Sequence, residues 1–223
     1  MPDKMKVGII GSSGGSAAQE LIIASGSSHE YFVVTDRPCN LETIATRHSL
    51  PLKRIETSSN YEFSFKTKEF FELSGGVDLI ILYFIRLVDF CLFSTYPTFN
   101  LHPSLLPEYK GLNSLTRAYN DGIRKVGATL HMVDQSIDGG PIVAQIYKNT
   151  LSELDLNLVK RISFAQKVYL SLYLIDYPDL LKQLQCRQKF LEDKPTINPT
   201  LPSSWSQKVY RDFLVREELA NLI

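Results

Sequence analysis

Three polar side chains, Asn100, His102 and Asp138, have the chemistry of a catalytic group. Asn100 and His102 are two residues apart, so on an extended strand their side chains project to the same face. Pro103 keeps His102 out of helical geometry, and the glycines after Asp138 let the chain bend sharply. An amide, an imidazole and a carboxylate can stabilise an oxyanion and move a proton without a covalent intermediate. The alternative is that His102 is a hydrogen-bonded core histidine and Asp138 an ordinary turn aspartate.

A glycine- and serine-rich turn, residues 11–16, lies between a predicted strand and a predicted helix near the start of the chain. Backbone N–H groups and the helix dipole at such a turn favour a phosphate. The turn lacks the GxGxxG pattern of dinucleotide sites and the GK[ST] of P-loops. It therefore predicts either an anion site or a plain tight turn.

The first half of the chain alternates strands and helices. Predicted strands cover 7–10, 31–34, 52–55 and 77–82, and predicted helices cover 17–24, 41–48 and 66–73. Short apolar runs of this kind are typical of buried parallel strands. The alternation predicts a doubly wound α/β fold.

The second half has a different pattern. A strand at 99–102 and a helix at 114–120 are followed by an antiparallel pair of strands and one long or broken helix, at 127–133, 141–148 and 156–184. Prolines interrupt the chain after residue 187, and 207–223 form an amphipathic terminal helix. We expect this tail to lie as a strap on the domain surface; the alternative is a helix that binds a partner.

The composition limits the classes of protein. The 223 residues are 44% hydrophobic and 22% charged, which excludes disorder, fibrous repeats and disulfide-rich scaffolds. The net charge is zero, so no positive field favours nucleic acid. The longest apolar run, 77–88, is well short of the roughly 20 residues that cross a bilayer, and the N-terminal run is too short for a secretory signal. We expect a cytoplasmic protein.

Three segments carry a resemblance to a known family. They read NLHPSLLPEYKG at 100–111, GATLHMV at 127–133 and IDGGP at 137–141. In this order and spacing they resemble the folate-dependent formyltransferase family, over residues 6–177. The resemblance implies an α/β, Rossmann-like, mostly parallel twisted sheet with helices on both faces. It also implies a catalytic domain at 1–185 and a C-terminal extension at 186–223.

The resemblance implies a reaction for the three polar residues. As catalytic residues, Asn100, His102 and Asp138 serve transfer of a formyl group from 10-formyltetrahydrofolate to a primary amine. Asn100 and protonated His102 donate hydrogen bonds to the tetrahedral oxyanion. Asp138 pairs with His102, raises its pKa and helps to pass a proton, through water, from the amine to the folate nitrogen.

The resemblance also implies binding residues. Those for the folate are Arg86, Leu87, Val88, Gln135 and Ile137. Those for the amine substrate are Gly14, Gly15, Ser16, Ala17, Tyr83 and Gln166. Arg86 is expected near the folate carboxylate or the substrate phosphate; the alternative is a solvated charge at a strand end. His131 is expected to support the site or to be a core histidine, whereas His29 and His48 match nothing and are expected at the surface. No histidine spacing suggests a metal.

Three departures from the family pattern concern the amine substrate. Ala17 replaces an asparagine, Tyr83 replaces a glycine, and Gln166 replaces a glutamate that contacts substrate. The folate side and the catalytic residues match, whereas the acceptor side does not match cleanly.

The expected acceptor is glycinamide ribonucleotide, in purine biosynthesis. Alternatives are a nucleotide-linked amino sugar, water (a formyl-folate hydrolase) and a non-catalytic folate- or nucleotide-binding module. Methionyl-tRNA fits less well, because the chain lacks room for a tRNA-binding domain. The expected partner is a small, phosphorylated amine, with no nucleic acid, membrane or metal; a homodimer stays open.

Overall fold

A computed structural model describes residues 4–12, 15–122, 124–150, 154–177 and 196–220. The strands are β1 (Lys6–Gly11), β2 (Glu30–Thr35), β3 (Leu52–Arg54), β4 (Leu79–Tyr83), β5 (Thr98–His102), β6 (Lys125–Met132), β7 (Ile142–Asn149) and β8 (Thr196–Ile197). The helices are α1 (Ser16–Ser25), α2 (Asn40–Arg47), α3 (Asn60–Leu73), α4 (Phe90–Phe93), α5 (Ser114–Asn120), α6 (Leu156–Ile175) and α7 (Ser204–Arg216).

The chain divides into two compact units. Unit 1 is Met1–Asn100 with Met132–Ser136, and unit 2 is Leu101–His131 with Ile137–Ile223. The predicted boundary between residues 185 and 186 lies outside the described residues, so the division into a catalytic domain and an extension stays a prediction.

Unit 1 is built on a parallel sheet in the order β3-β2-β1-β4-β5. Gly11 is in register with Thr35 and with Tyr83, so three strands end level with one another. Phe71 of α3 packs directly on the sheet at Gly8, where an added Cβ would lie 2.7 Å from the phenyl ring. This close approach explains a glycine in the middle of a buried strand.

Helix α3 begins at Asn60, six residues earlier than predicted. Ser59 is its N-cap, and the Ser59 side chain accepts a hydrogen bond from the backbone N–H of Glu62. In the first turns of α3, Phe63 is fully buried, whereas Tyr61 and Phe65 are 58% and 43% exposed. Aromatic residues at every second position do not show the helical spacing on which the prediction relied.

Unit 2 contains the antiparallel pair β6–β7, with β8 parallel to β7. A register shift between Leu130 and His131 marks a bulge in β6. Helix α6 belongs to the same unit, where Val159 and Ile162 form a buried cluster with Val126 of β6. All pairings inside unit 1 are parallel and unit 2 adds one of each kind, which confirms the predicted mostly parallel α/β class.

The described part of the C-terminal tail packs on α6, as predicted for a strap. The Tyr210 hydroxyl donates to the carbonyl of Ala165, and the rings of Phe164 and Phe213 meet edge to face at 5.5 Å. Helix α7 spans Ser204–Arg216, so it begins earlier than the predicted 207. It also ends earlier than predicted, because Glu217 is its C-cap and 217–220 are not helical; residues 221–223 lie outside the described chain.

Candidate active site

A buried imidazole–carboxylate pair forms the core of the candidate site, and both side chains belong to unit 2. His102, the last residue of β5, is 4% exposed. Its Nδ1 lies 3.3 Å from Oδ2 of Asp138, and its Nε2 donates to the carbonyl oxygen of Tyr109 at 2.9 Å. Both ring nitrogens therefore face oxygen acceptors.

Asp138 reaches this position through an unusual backbone conformation. Its φ of 47° is left-handed, a conformation that aspartate tolerates better than most side chains. The carboxylate is 14% exposed and accepts a hydrogen bond from the N–H of Gly111 at 2.8 Å. From β6, Nε2 of His131 lies 3.5 Å from Oδ1 of Asp138. His131 thus contacts the same carboxylate, in the supporting position expected for it.

The loop at 109–111 contributes backbone groups on two sides of the pair. Tyr109 has φ 54° and Gly111 has φ 80°. These left-handed residues turn one carbonyl towards His102 and one N–H towards Asp138. Sequence reasoning missed this role, and its signal was the glycine at the end of the 100–111 motif.

The electrostatics of the pair keep the carboxylate ionised. Burial opposes the charge of Asp138, but the contact with His131, the N–H of Gly111 and the charge of His102 lower its pKa to about 2. Burial is also the largest influence on His102 and lowers its pKa, while Asp138 and the Tyr109 carbonyl act in the opposite direction. The prediction that Asp138 raises the pKa of His102 is right for that contact and wrong for the net shift, because desolvation exceeds the attraction.

A buried hydrogen-bond network fixes the chain that follows His102. The Thr129 hydroxyl donates to the carbonyl of Ser104 at 2.7 Å and accepts from the N–H of Leu106 at 3.0 Å. Nε2 of Gln145 donates to the carbonyl of Leu106 at 2.8 Å and to the Thr129 hydroxyl at 3.0 Å. Thr129 and Gln145 are therefore positioning residues that sequence reasoning missed.

The remaining predicted catalytic and loop residues lie as follows. Asn100 is half-buried in unit 1, two residues before His102 on β5, in register with Leu82. Gln135, also in unit 1, is exposed. Ile137 in unit 2 is 56% exposed.

The predicted folate segment after β4 belongs to unit 1. Leu87 is 54% exposed, whereas Val88 is 9% exposed and packs in the core. The side chain of Val88 is therefore not available to a ligand. The Arg86 guanidinium donates to the carbonyls of Thr57 and Ser58. It is therefore neither a freely solvated charge nor an open ligand group.

The predicted phosphate turn is described from Gly15 onwards, and Gly14 lies outside the described residues. Gly15 is the N-cap of α1 with φ 65°, and an added Cβ would lie 2.9 Å from that of Leu41, so a side chain is excluded there. Ser16 is exposed, whereas Ala17 is 4% exposed. Any contact by Ala17 must use its backbone.

Two further residues were expected to contact the acceptor. Tyr83 is half-buried at the end of β4. Gln166 is 1% exposed, and its Nε2 donates to the carbonyl of Val126 at 2.9 Å. The Gln166 amide thus holds α6 against β6, and this engagement argues against contact with a substrate.

The other histidines lie in unit 1. His29 is 4% exposed, and its Nδ1 accepts a hydrogen bond from the N–H of Met5. The prediction of a surface position is wrong for His29, because this hydrogen bond allows the ring to be buried. His48 is half-buried.

The described residues contain neither a metal-binding cluster nor a membrane-spanning helix. Within the described ranges, no cluster of three His, Cys, Asp or Glu side chains could hold a metal ion. Among the helices that the structure describes, none is long and apolar enough to cross a membrane.

Comparison with known proteins gives consistent matches. Residues 5–171 match the family model described as Formyl transferase. The chain is 31% identical over 187 residues to the trifunctional purine biosynthetic protein adenosine-3 of Chironomus tentans, and the match covers 74% of this chain and 13% of that protein. It is 29% identical over 124 residues to the mitochondrial formyltetrahydrofolate deformylase 2 of Arabidopsis thaliana, covering 54% of this chain and 35% of that one.

Solved structures match over a larger share of their length. The phosphoribosylglycinamide formyltransferase of Bacillus halodurans superposes with a TM-score of 0.69 at 25% identity, covering 85% of this chain and 100% of that one. By contrast, this chain spans well under half the length of the two curated relatives.

Proposed function

Because the chain belongs to the formyl transferase family, we propose that it transfers the formyl group of 10-formyltetrahydrofolate to a primary amine. The observation that carries the proposal is the buried pair of His102 and Asp138, held by the backbone of Tyr109 and Gly111. A low-dielectric site with an ionised carboxylate beside an imidazole suits stabilisation of an oxyanion and transfer of a proton.

The reaction balances without a covalent enzyme intermediate. The amine nitrogen attacks the formyl carbon, and the carbonyl oxygen becomes an oxyanion that receives hydrogen bonds from His102 and from the Asn100 amide. Collapse breaks the bond between the formyl carbon and N10 of the folate, and the amine proton passes to N10 through water with the help of Asp138. In the structure Nε2 of His102 donates a hydrogen bond to the Tyr109 carbonyl. During the reaction the oxyanion replaces that carbonyl as the acceptor.

The donor is proposed to contact the loop after β4 and the loop before Asp138. Leu87 and Ile137 each present an exposed apolar side chain, and such side chains suit the flat rings of a folate. Val88 and Gln135 contribute through backbone groups, whereas the Arg86 guanidinium is already bonded to the carbonyls of Thr57 and Ser58.

The proposed acceptor is glycinamide ribonucleotide, which makes this a step of purine biosynthesis. The names of the matching proteins support it. The phosphate would bind the backbone N–H groups at the start of α1, from Gly14, Gly15, Ser16 and Ala17, and Tyr83 would lie near the amine. Because one relative is a formyltetrahydrofolate deformylase, water is the alternative acceptor against which glycinamide ribonucleotide should be tested.

The proposed setting follows from this chemistry. We expect a cytoplasmic enzyme whose partners are small molecules, and a homodimer stays a prediction that light scattering on the purified chain can check.

An acceptor screen tests the function. Purified protein is mixed with 10-formyltetrahydrofolate and either glycinamide ribonucleotide, a nucleotide-linked amino sugar or buffer alone, and the release of tetrahydrofolate is followed. Fast release with glycinamide ribonucleotide supports the proposal. Release only with the amino sugar or in buffer identifies that acceptor instead, and no release despite donor binding supports the non-catalytic alternative.

A further inference from the structure

Arg86 forms an internal clamp in unit 1. Its Nη1 donates to the carbonyl of Thr57 at 2.7 Å, and its Nη2 donates to the carbonyl of Ser58 at 3.1 Å. Nε and Nη2 also bond Oδ1 of Asn60, at 3.3 and 3.0 Å. All three partners lie at 57–60, where the chain enters α3, so one side chain ties this segment to the loop after β4.

The charge of Arg86 is also compensated inside the unit. Its Nη1 lies 3.6 Å from Oδ2 of Asp36, a carboxylate whose side chain is 1% exposed. The guanidinium carbon lies 5.5 Å from the centre of the Phe63 ring, a distance typical of a cation–π contact. The N–H groups of the Arg86 guanidinium are already hydrogen-bonded, its charge is paired with Asp36, and its side chain is only 17% exposed. Little of Arg86 is therefore available to a ligand carboxylate.

The two residues that flank Arg86 have exposed side chains. Ile85 and Leu87 are 53% and 54% exposed, whereas Val88 is buried. The N–H of Asp89 donates to the Ser64 hydroxyl at 2.7 Å, which gives the loop a second attachment to α3. The loop is therefore fixed at both ends of a short stretch that presents Leu87 outwards.

We infer that Arg86 is a positioning residue, which holds the loop at 84–88 in the shape that receives the folate rings and does not bind the folate carboxylate. This inference rests on the proposed function for its ligand and on the contacts above for its mechanism. It predicts that loss of Arg86 weakens binding of the donor whether or not the donor carries a glutamate.

The test compares two donors. One is 10-formyltetrahydrofolate, and the other is an analogue in which a neutral methylamide replaces the glutamate. In Arg86→Gln we expect KM to rise about 10- to 100-fold, by the same factor for both donors, with kcat little changed. A rise in KM confined to the donor with the glutamate would show that Arg86 contacts the carboxylate and would overturn the inference.

Three further variants make the comparison specific. Arg86→Lys keeps the charge but loses the planar set of N–H donors of the guanidinium. We therefore expect its KM to lie between those of Arg86→Gln and the wild type. Asn60→Ala removes two of the four hydrogen bonds and leaves Arg86 in place, so it should raise KM for both donors by a smaller, equal factor. Arg37→Gln removes the other arginine that pairs with Asp36, at an exposed position, and should leave KM for both donors unchanged.

A readout without activity separates this inference from the proposed function. Hydrogen exchange of the amides at 84–89 should speed up at least tenfold in Arg86→Gln, while exchange in β1 and β4 stays as in the wild type. If exchange at 84–89 is the same in Arg86→Gln as in the wild type, Arg86 does not hold this loop, even if the enzyme is active. A wild-type protein that transfers formyl to no acceptor, yet shows the faster exchange in the variant, would refute the proposed function alone.

Discussion

The carbonyl oxygen of Tyr109 accepts a hydrogen bond from Nε2 of His102 at 2.9 Å, while Nδ1 of the same ring faces Asp138 at 3.3 Å. With an acceptor at each nitrogen, the ring is best satisfied when both nitrogens carry a proton. Burial acts against that charge and lowers the pKa of His102. The imidazole is thus held where a nearby negative charge, such as a developing oxyanion, can favour its protonation.

His102→Ala tests the central role of this ring. Loss of one oxyanion donor should lower kcat about 100- to 1000-fold, and donor affinity should hardly change because the ring acts on the transition state. Single-turnover transfer and equilibrium binding of the donor measure the two effects. His48→Ala, at a half-buried position in unit 1, serves as the control and should keep wild-type kcat. Weaker donor binding that fully accounts for the lost rate would contradict this role.

Asp138 should make stability depend on pH in the acid range. Its pKa falls from 3.8 in the unfolded chain to about 2, so the native state stays ionised where the unfolded state binds a proton. The contribution is complete above pH 4 and disappears as pH falls towards 2; it amounts to at most about 2 kcal/mol because part of the carboxylate meets solvent.

Asp138→Asn should lack this dependence. Urea unfolding at pH 6 and pH 3 measures the free energy of unfolding. The difference in this free energy between wild type and variant should be smaller at pH 3. Asp134→Asn, on the same loop and exposed, should follow the wild type at both values. An equal gap at both pH values would contradict the ionised native carboxylate.

Gln145 should contribute to the free energy of unfolding, although it is far from His102 along the chain. Gln145→Met keeps the volume but leaves the Leu106 carbonyl without its side-chain donor inside the unit. We expect a loss of about 1–3 kcal/mol in unfolding free energy. Gln207→Met, which removes a single bond from an exposed glutamine, should cost less than about 1 kcal/mol, and similar losses would refute the network.

Much of the fold could be predicted from the sequence because its elements are periodic and bounded. Helix α5 occupies the predicted 114–120, closed by an Asp-Gly pair. Helix α3 was predicted to begin too late, because its start is set by the Ser59 cap and its first turns alternate exposed Tyr61 and Phe65 with buried Phe63. Apolar residues at every second position do not produce the apolar periodicity of a helix, so the pattern does not reveal where α3 begins.

The candidate site was predictable only where side chains define it. The residue types of His102 and Asp138 permitted either a catalytic pair or a core histidine with a turn aspartate, and the family resemblance favoured the pair, which the structure brings together. Tyr109 and Gly111 act through backbone atoms, which composition does not reveal. The net pKa shift of His102 depends on burial, which is a property of the packed chain.

One carboxylate accepts several hydrogen bonds at the start of the C-terminal helix. Oδ2 of Asp176 accepts hydrogen bonds from the Ser203 N–H and hydroxyl, at 3.0 and 2.6 Å, and from the Ser206 hydroxyl at 2.5 Å. Asp176→Ala removes the acceptor that these donors share and should cost about 2–4 kcal/mol in unfolding free energy. Asp212→Ala, on the exposed side of α7, should cost less than about 0.5 kcal/mol, and protease cleavage near α7 should rise only in the first variant.

Gln166 provides a test of whether α6 contacts the acceptor or only supports the sheet. Gln166→Glu restores the residue type of the family pattern but places a carboxylate against the Val126 carbonyl at a position that is 1% exposed. If the side chain is structural, the variant loses about 2–4 kcal/mol at pH 8 and less at pH 5, because burial raises the pKa of the new carboxyl and the protonated form can donate to Val126. Urea unfolding at the two pH values measures this, with Gln166→Met as the uncharged control that should show no such pH dependence. A Gln166→Glu protein of wild-type stability with a lower KM for glycinamide ribonucleotide would show instead that this side chain reaches the substrate.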